Sequence, residues 1–336
     1  MPSALAGNDF ASTQVCEDVD LQSSEQTGGQ MQFDLRLAET FILKSISEAT
    51  RQTYSIAIKG FFVFVKYVHP THVTSQHVIA YRDHLINNKK SANTVALKLS
   101  ILRSFYDYLI ADGHLERNPA STRLVPAPSI SDTPAGRALT PKEVRYLLSG
   151  PNRSTPEGAR DHALMLLMLR LSLRITEACT ARLSYIKWNH GRWTLRLKVK
   201  RGREEVWPLP PDVKQVIDDY LELDHERRTA LGTDGLDQYI FQPHSNPRTL
   251  EFAKPLSSRQ GHKIVRRWAE HAGLGRVSPH DLRRTVITKL LNDGRSYREV
   301  QMVTKHRDPR SVQRYDHARD NLELNPVNTL SYDDGT

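Results

Sequence analysis

Apolar positions along the chain begin without a period and then acquire one. Residues 1–33 hold few large apolar side chains among Ser, Gln, Gly and Thr and read as a disordered segment. From Leu35 onward apolar residues recur at helical spacing. Ser47 and Thr50 precede Tyr54, Ile58, Phe61, Phe62 and Val65, and Thr74 opens a segment with Val78, Tyr81 and Leu85. After Ser91, the residues Val95, Leu99, Leu102, Phe105, Tyr106 and Leu109 fall on one side, until Asn118-Pro119 stops the run. Several amphipathic helices so close together predict a small all-helical domain over residues 34–122.

Residues 123–138, with Pro126, Pro128 and Pro134 among Ser, Thr and Ala, show no period and read as a linker. A second domain, 139–325, opens at Thr140-Pro141-Lys142-Glu143. There Thr at the N-cap, Pro at the first helical position and Glu two places on spell a capping box. His162 to Leu173 follow as a strongly apolar helix. The period then changes. From Arg192 to Lys200, Trp193, Leu195, Leu197 and Val199 face one way and Arg192, Thr194, Arg196, Lys198 and Lys200 the other. Turn residues Asn189-His190-Gly191 and Arg201-Gly202 flank this strand, and Val206-Trp207-Pro208-Leu209 returns beside it, so a small antiparallel sheet with a basic face is expected. Helices resume at Asp212–Leu223, Ser257–Ala272, Pro279–Asn292, Ser296–Thr304 and from Asp308, with residues 326–336 left as a tail. The expectation is a mainly α chain: an all-helical N-terminal domain, then a mixed, mostly helical domain with a small antiparallel sheet.

Charge changes the picture. The net charge of the chain is +9, but residues 1–33 carry five acids and no base, and residues 318–336 four acids and one base. Residues 34–317 therefore hold 46 basic and 29 acidic side chains, a net of +17, which suggests a polyanionic partner held through phosphate contacts. No apolar run is long enough to span a membrane, and residues 1–33 lack the Lys or Arg and apolar block of a secretory signal. Cys16 and Cys179 lack metal-ligand spacing, and a reducing, cytoplasmic setting is expected.

Five pieces of the second domain combine into possible chemistry. They are Leu171-Ser172-Leu173-Arg174-Ile175-Thr176-Glu177, Lys200 at the hairpin, Pro279-His280-Asp281-Leu282-Arg283-Arg284-Thr285, His306, and Tyr315 nine residues later. Singly each has a bland reading: a surface ion pair for Arg174 and Glu177, a solvated hairpin lysine, a histidine at a helix end, a packing tyrosine. His-x-x-Arg occurs three times, and His114/Arg117 and His225/Arg228 read as surface charge. Only His280/Arg283 lies in a helix opened by Ser278-Pro279 and backed by the stripe Leu282, Val286, Ile287 and Leu290, with both residues on one face. The ordered combination is the specific signal.

That combination resembles the tyrosine recombinase (phage integrase) family over roughly residues 140–320, and the preceding helices resemble that family's SAM-like core-binding domain. The resemblance implies an enzyme that cuts and rejoins DNA through a 3′-phosphotyrosine, with Tyr315 as nucleophile. Arg174 and Arg283 would hold the non-bridging oxygens, because planar guanidinium groups stay charged and bind them bidentately. A phenol of pKa near 10 costs about 4 kcal/mol to ionise at neutral pH, and the resemblance assigns His280 to accept or relay that proton. Lys200 would protonate the leaving 5′ oxygen, His306 would donate to a non-bridging oxygen, and Glu177 would support the basic network. Two positions depart from the family pattern: Ser172 and Lys305 stand where Gly is usual. Ser is small enough to be harmless, whereas Lys305 is strained if its backbone needs a positive φ, or else adds a phosphate contact.

No acidic cluster, Walker loop or GxGxxG accompanies these residues, so neither metal nor ATP nor other cofactor is expected; His69 and His72, around Pro70, read as loop residues. Without strand alternation before the helical domain, an arm-binding domain is not expected. A simple Xer-like, integron-type or transposon-encoded recombinase is favoured, acting on short inverted core sites in double-stranded DNA as a tetramer on two sites. The rivals are a type IB topoisomerase-like enzyme and a non-catalytic helix-turn-helix binder.

Overall fold

The computed structural model describes residues 35–130, 136–199, 202–233, 235, 238–244, 254–316 and 326–329. The expected disordered segment, most of the expected tail and Lys200 fall outside these residues. The chain divides into two compact units between Ile130 and Ser131.

The first unit is helical: α1 (Leu35–Leu43), α2 (Glu48–Phe64), α3 (Ser75–Asn87) and α4 (Ala92–Ala111). The apolar residues singled out by their spacing are its core. Ile58, Phe61, Phe62, Val95, Leu99, Leu102, Phe105, Tyr106 and Leu109 are completely buried. Phe41 on α1 stacks on Tyr54 at 5.2 Å between ring centres and meets Phe105 edge-on at 5.4 Å. Ser91 caps α4 by accepting from the Thr94 amide. His69 and His72 flank and end a one-turn 3-10 helix, and the His69 Nδ1 lies 2.7 Å from the Thr71 hydroxyl. Val125, within the expected linker, is fully buried in this unit, and Arg103 donates to the carbonyls of Ala120 and Val125 at 2.9 and 2.7 Å.

In the second unit α5 (Pro141–Ser149), α6 (Pro156–Leu171) and α7 (Ile175–Cys179) precede strands β1 (Ile186–Asn189), β2 (Arg192–Lys198) and β3 (Glu204–Pro208). The sheet is antiparallel in the order β1-β2-β3. Leu195, Leu197, Val199 and Trp207 are buried while Arg196 and Lys198 are exposed, the alternation expected of a one-sided sheet. Then come α8 (Pro211–Leu223), α9 (His225–Ala230), α10 (Ser258–His271), α11 (Pro279–Asn292), α12 (Tyr297–Thr304) and α13 (Arg310–Gln313). The fold is the mainly helical one expected, with its small antiparallel sheet. Helix α6 is central, with Leu164, Met165, Leu167 and Met168 fully buried. The α5 capping box forms in both directions, Glu143 to Thr140 at 3.3 Å and Thr140 to Glu143 at 2.8 Å.

Two expectations need correction. Helix α6 ends at Leu171 rather than Leu173, because Ser172 turns left-handed (φ 54°, ψ 36°). Arg228 is not surface charge: it is 1% exposed. Its guanidinium donates to Asp224 at 2.8 Å, to the Tyr220 hydroxyl at 2.9 Å and to the Ile240 carbonyl at 2.6 Å. So many fixed acceptors make burial of a charge tolerable, and most of them lie in segments that local spacing does not reveal.

Candidate active site

Arg174 is the N-cap residue of α7. Its amide donates to one Glu177 oxygen at 2.8 Å and its guanidinium to the other at 2.7 Å. The Glu177 side chain is 6% exposed and that of Arg174 44%, so a buried carboxylate holds one edge of a guanidinium that is otherwise open to solvent.

Helix α11 supplies the next groups. Ser278 and Asp281 cap it reciprocally, the Ser278 amide donating to Asp281 at 2.8 Å, and this fixes the first turn that bears His280 and Arg283. Arg283 is 1% exposed. It donates to the Ser172 carbonyl, to the Thr304 carbonyl at 2.6 Å and to His306 Nε2 at 3.1 Å. A guanidinium has five N–H donors and no acceptor, so two donors remain without a protein partner among the described residues. The same rule sets the His306 tautomer: Nε2 accepts from Arg283, and Nδ1–H donates to the Thr304 hydroxyl at 2.9 Å. Burial and then the charge of Arg174 pull the Arg283 pKa down to about 10. Burial, Arg283, Arg174 and His280 pull that of His306 down to about 3.

His280 Nε2 lies 3.0 Å from the Tyr315 hydroxyl. Partial loss of hydration, then the charges of Arg283 and Arg284, lower the His280 pKa, so at neutral pH the ring is neutral and the phenol donates to it. Tyr315 is 7% exposed and packs with Ile287, Val300 and Val312. Its neighbour Asp316 accepts from Tyr297 at 2.5 Å.

The structure therefore brings Arg174, Glu177, His280, Arg283, His306 and Tyr315 into one electrostatically connected site. It does not describe Lys200; of the described residues on either side in sequence, the Val199 amide donates to the Arg203 carbonyl at 2.7 Å. Two contributors escaped the sequence reading. Arg284 lies over the Tyr315 ring, 5.4 Å from its centre, and donates to the Gly136 carbonyl. Thr304 orients His306 through its hydroxyl and accepts from Arg283 through its carbonyl. Arg284 was discoverable from its i, i+4 relation to His280; Thr304 carried no signal. Both departures from the family's glycines are left-handed: Ser172, and Lys305 at φ 55°, ψ 32°. Ser172 is fully buried, and its hydroxyl has no hydrogen-bond partner among the described residues. Lys305 is turned toward Glu205 and Trp207. Among the described residues no group of three or more His, Cys, Asp or Glu could hold a metal ion.

Residues 137–321 match the phage integrase family, and residues 35–113 match the phage integrase N-terminal SAM-like domain. The chain is 29% identical over 257 residues to tyrosine recombinase XerC of Roseiflexus sp. strain RS-1, covering 76% of this chain and 78% of that protein. Its fold is similar to that of XerH site-specific recombinase bound to palindromic difH substrate in a post-cleavage complex, with TM-score 0.64, 16% identity, and coverage of 90% of this chain and 91% of that one. It is also similar to a lambda integrase tetramer bound to a Holliday junction, with TM-score 0.61, 19% identity, and coverage of 83% and 75%. The chain belongs to the phage integrase family. Within it, the chain is a site-specific tyrosine recombinase of the simple, Xer-like type.

Proposed function

We propose that Tyr315 attacks a DNA phosphodiester and forms a 3′-phosphotyrosine bond as the 5′ oxygen leaves, and that the reverse step rejoins strands. The observation that carries this reading is the 3.0 Å contact between His280 Nε2 and the Tyr315 hydroxyl, beside the unfilled donors of Arg283. Neutral His280 takes the phenolic proton. Arg174, Arg283 and His306 hold the non-bridging oxygens; His306 does so once the phosphate's negative charge has raised its pKa and protonated Nε2, the Arg283 N–H now bonded to Nε2 turning to the phosphate instead. Lys200 protonates the leaving oxygen, and Glu177 positions Arg174.

The partner is double-stranded DNA carrying short inverted sites, bound by a tetramer on two sites. The DNA-bound XerH and the lambda integrase tetramer support this by analogy of fold. So does the exposed face of α10, where Arg259, His262, Lys263 and Arg266 follow helical spacing. Residues 34–122 serve as the core-binding domain, 123–138 as the linker, 139–325 as the catalytic domain and 326–336 as a tail. Integration, excision or resolution of a mobile element is the corresponding task, in the cytoplasm. Among the described residues no helix is long and apolar enough to cross a membrane, and burial pushes the Cys179 thiol up to about 12, which makes it an unreactive, structural thiol.

The test uses DNA whose scissile 5′ bridging oxygen is replaced by sulfur, a leaving group that needs no proton. Lys200→Ala slows cleavage of ordinary DNA by about 10²–10⁴-fold and cuts the sulfur substrate near the wild-type rate. Equal slowness on both substrates removes Lys200 as the acid. A two-site exchange assay separates recombination from simple relaxation.

A further inference from the structure

We propose that Lys305 is a positioning residue whose side chain latches strand β3 to the loop carrying His306, holding the Arg283–His306 pair in register for the phosphate. The inference rests on the reading of Arg283 and His306 as phosphate-holding groups.

A left-handed backbone favours Gly, and a long side chain there carries a conformational penalty that something else must offset. At Lys305 the offset is visible. The side chain is 22% exposed, its ammonium lies 3.7 Å from a Glu205 oxygen, and it sits 5.5 Å from the centre of the Trp207 ring. The second Glu205 oxygen binds Arg203 at 3.0 Å, so the carboxylate is itself held on the hairpin. Trp207 is 2% exposed, and its indole N–H donates to the Val303 carbonyl at 2.8 Å.

Four successive residues are thus tied alternately to two elements. Val303 and Lys305 are fastened to β3, while Thr304 and His306 are fastened to Arg283. A helix end and its following turn, pinned on alternate residues, cannot slide along β3 without breaking their bonds to Arg283. Misplacement of a reacting group by about 1 Å can cost on the order of 100-fold in rate, so the latch acts on cleavage through geometry. A direct phosphate contact by Lys305 would require its ammonium to leave Glu205 and Trp207.

Four variants separate these roles, each measured for single-turnover cleavage at saturating DNA, for DNA affinity against salt, and for melting temperature. Lys305→Ala slows cleavage by about 10- to 100-fold with affinity and salt dependence unchanged. Lys305→Arg, which can reach the same carboxylate and ring, restores most of the rate. Lys305→Gly relieves the backbone and melts no lower than wild type, yet stays slow. Glu205→Gln is slow as well, and combining it with Lys305→Ala adds little. Wild-type cleavage by Lys305→Ala or Lys305→Gly overturns the latch. So does weaker DNA binding with a shallower salt dependence, which marks a phosphate contact. The wild-type chain in the same assay tests the underlying reading separately: failure to trap an adduct at Tyr315 overturns that reading, and the latch with it.

Discussion

Arg283 and Arg174 face the same task from opposite structural situations. Arg283 is sealed in, 1% exposed, with two backbone carbonyls and His306 fixing its plane. Arg174 leans out, its side chain 44% exposed and tied only to Glu177 among the hydrogen bonds described. One is part of the floor of the site and of the fold. The other is a rim group, free to settle on a phosphate when one arrives. Rigidity on one side and adjustability on the other let the site be preorganised and still admit a long polymer.

The sharpest break of this comparison is substitution of each arginine by alanine. Arg283→Ala leaves two buried carbonyls and the half-buried His306 Nε2 unpaired, so it lowers stability by roughly 3 kcal/mol and cleavage by about 10²–10³-fold. Denaturant unfolding and single-turnover cleavage measure the two effects. Arg174→Ala loses cleavage by a similar factor of about 10²–10³, but the buried Glu177 carboxylate keeps the residue-174 amide as a donor, so the stability loss is about 1–2 kcal/mol, smaller than for Arg283→Ala. Matching stability losses in the two variants would erase the distinction between floor and rim.

Acid gives a graded test. His306 and His280 have folded pKa values below the ordinary 6.5, His306 at about 3. Between those pH values the unfolded chain binds more protons than the folded one, so stability rises with pH across the window and is lost as pH falls below 6.5. His306→Gln flattens that dependence if the buried ring is its source. Phosphate in the site should raise both pKa values, so DNA binding near pH 6 takes up protons, readable by calorimetry in buffers of different ionisation enthalpy.

The smallest effect belongs to Ser172. Replacing it with Gly removes a left-handed side chain and a buried hydroxyl without a partner, and raises stability by about 0.5–1 kcal/mol, leaving the carbonyl that Arg283 uses in place. A loss of stability would show that the hydroxyl or the added backbone freedom matters more.

What was legible in the sequence followed local rules. Helix α11 spans Pro279–Asn292 as its cap and stripe predict, and the i, i+3 spacing that put His280 beside Arg283 is a property of a single helix. The apolar positions of α2 and α4 became the first core for the same reason. What was hidden is what no single helical or strand period records. Arg228 is buried only because Tyr220, Asp224 and the 238–240 segment converge on it. Helix α7 is five residues long, too short to show a period, although it is the element that aims Arg174. The left-handed turns at Ser172 and Lys305 carry ordinary side chains, and only the resemblance to a family with Gly at both places pointed to them.

The central claim is that Tyr315 is the residue that becomes joined to DNA. A site-bearing duplex with a nick just beyond the scissile phosphate lets the cut fragment escape and traps the covalent complex. Protease digestion of that complex and mass mapping then locate the modified residue. The account predicts a single nucleotide-bearing peptide, modified at Tyr315, that is absent from Tyr315→Phe and forms equally in excess EDTA. Modification at Tyr297 or Tyr332, or an adduct that persists in Tyr315→Phe, would contradict it.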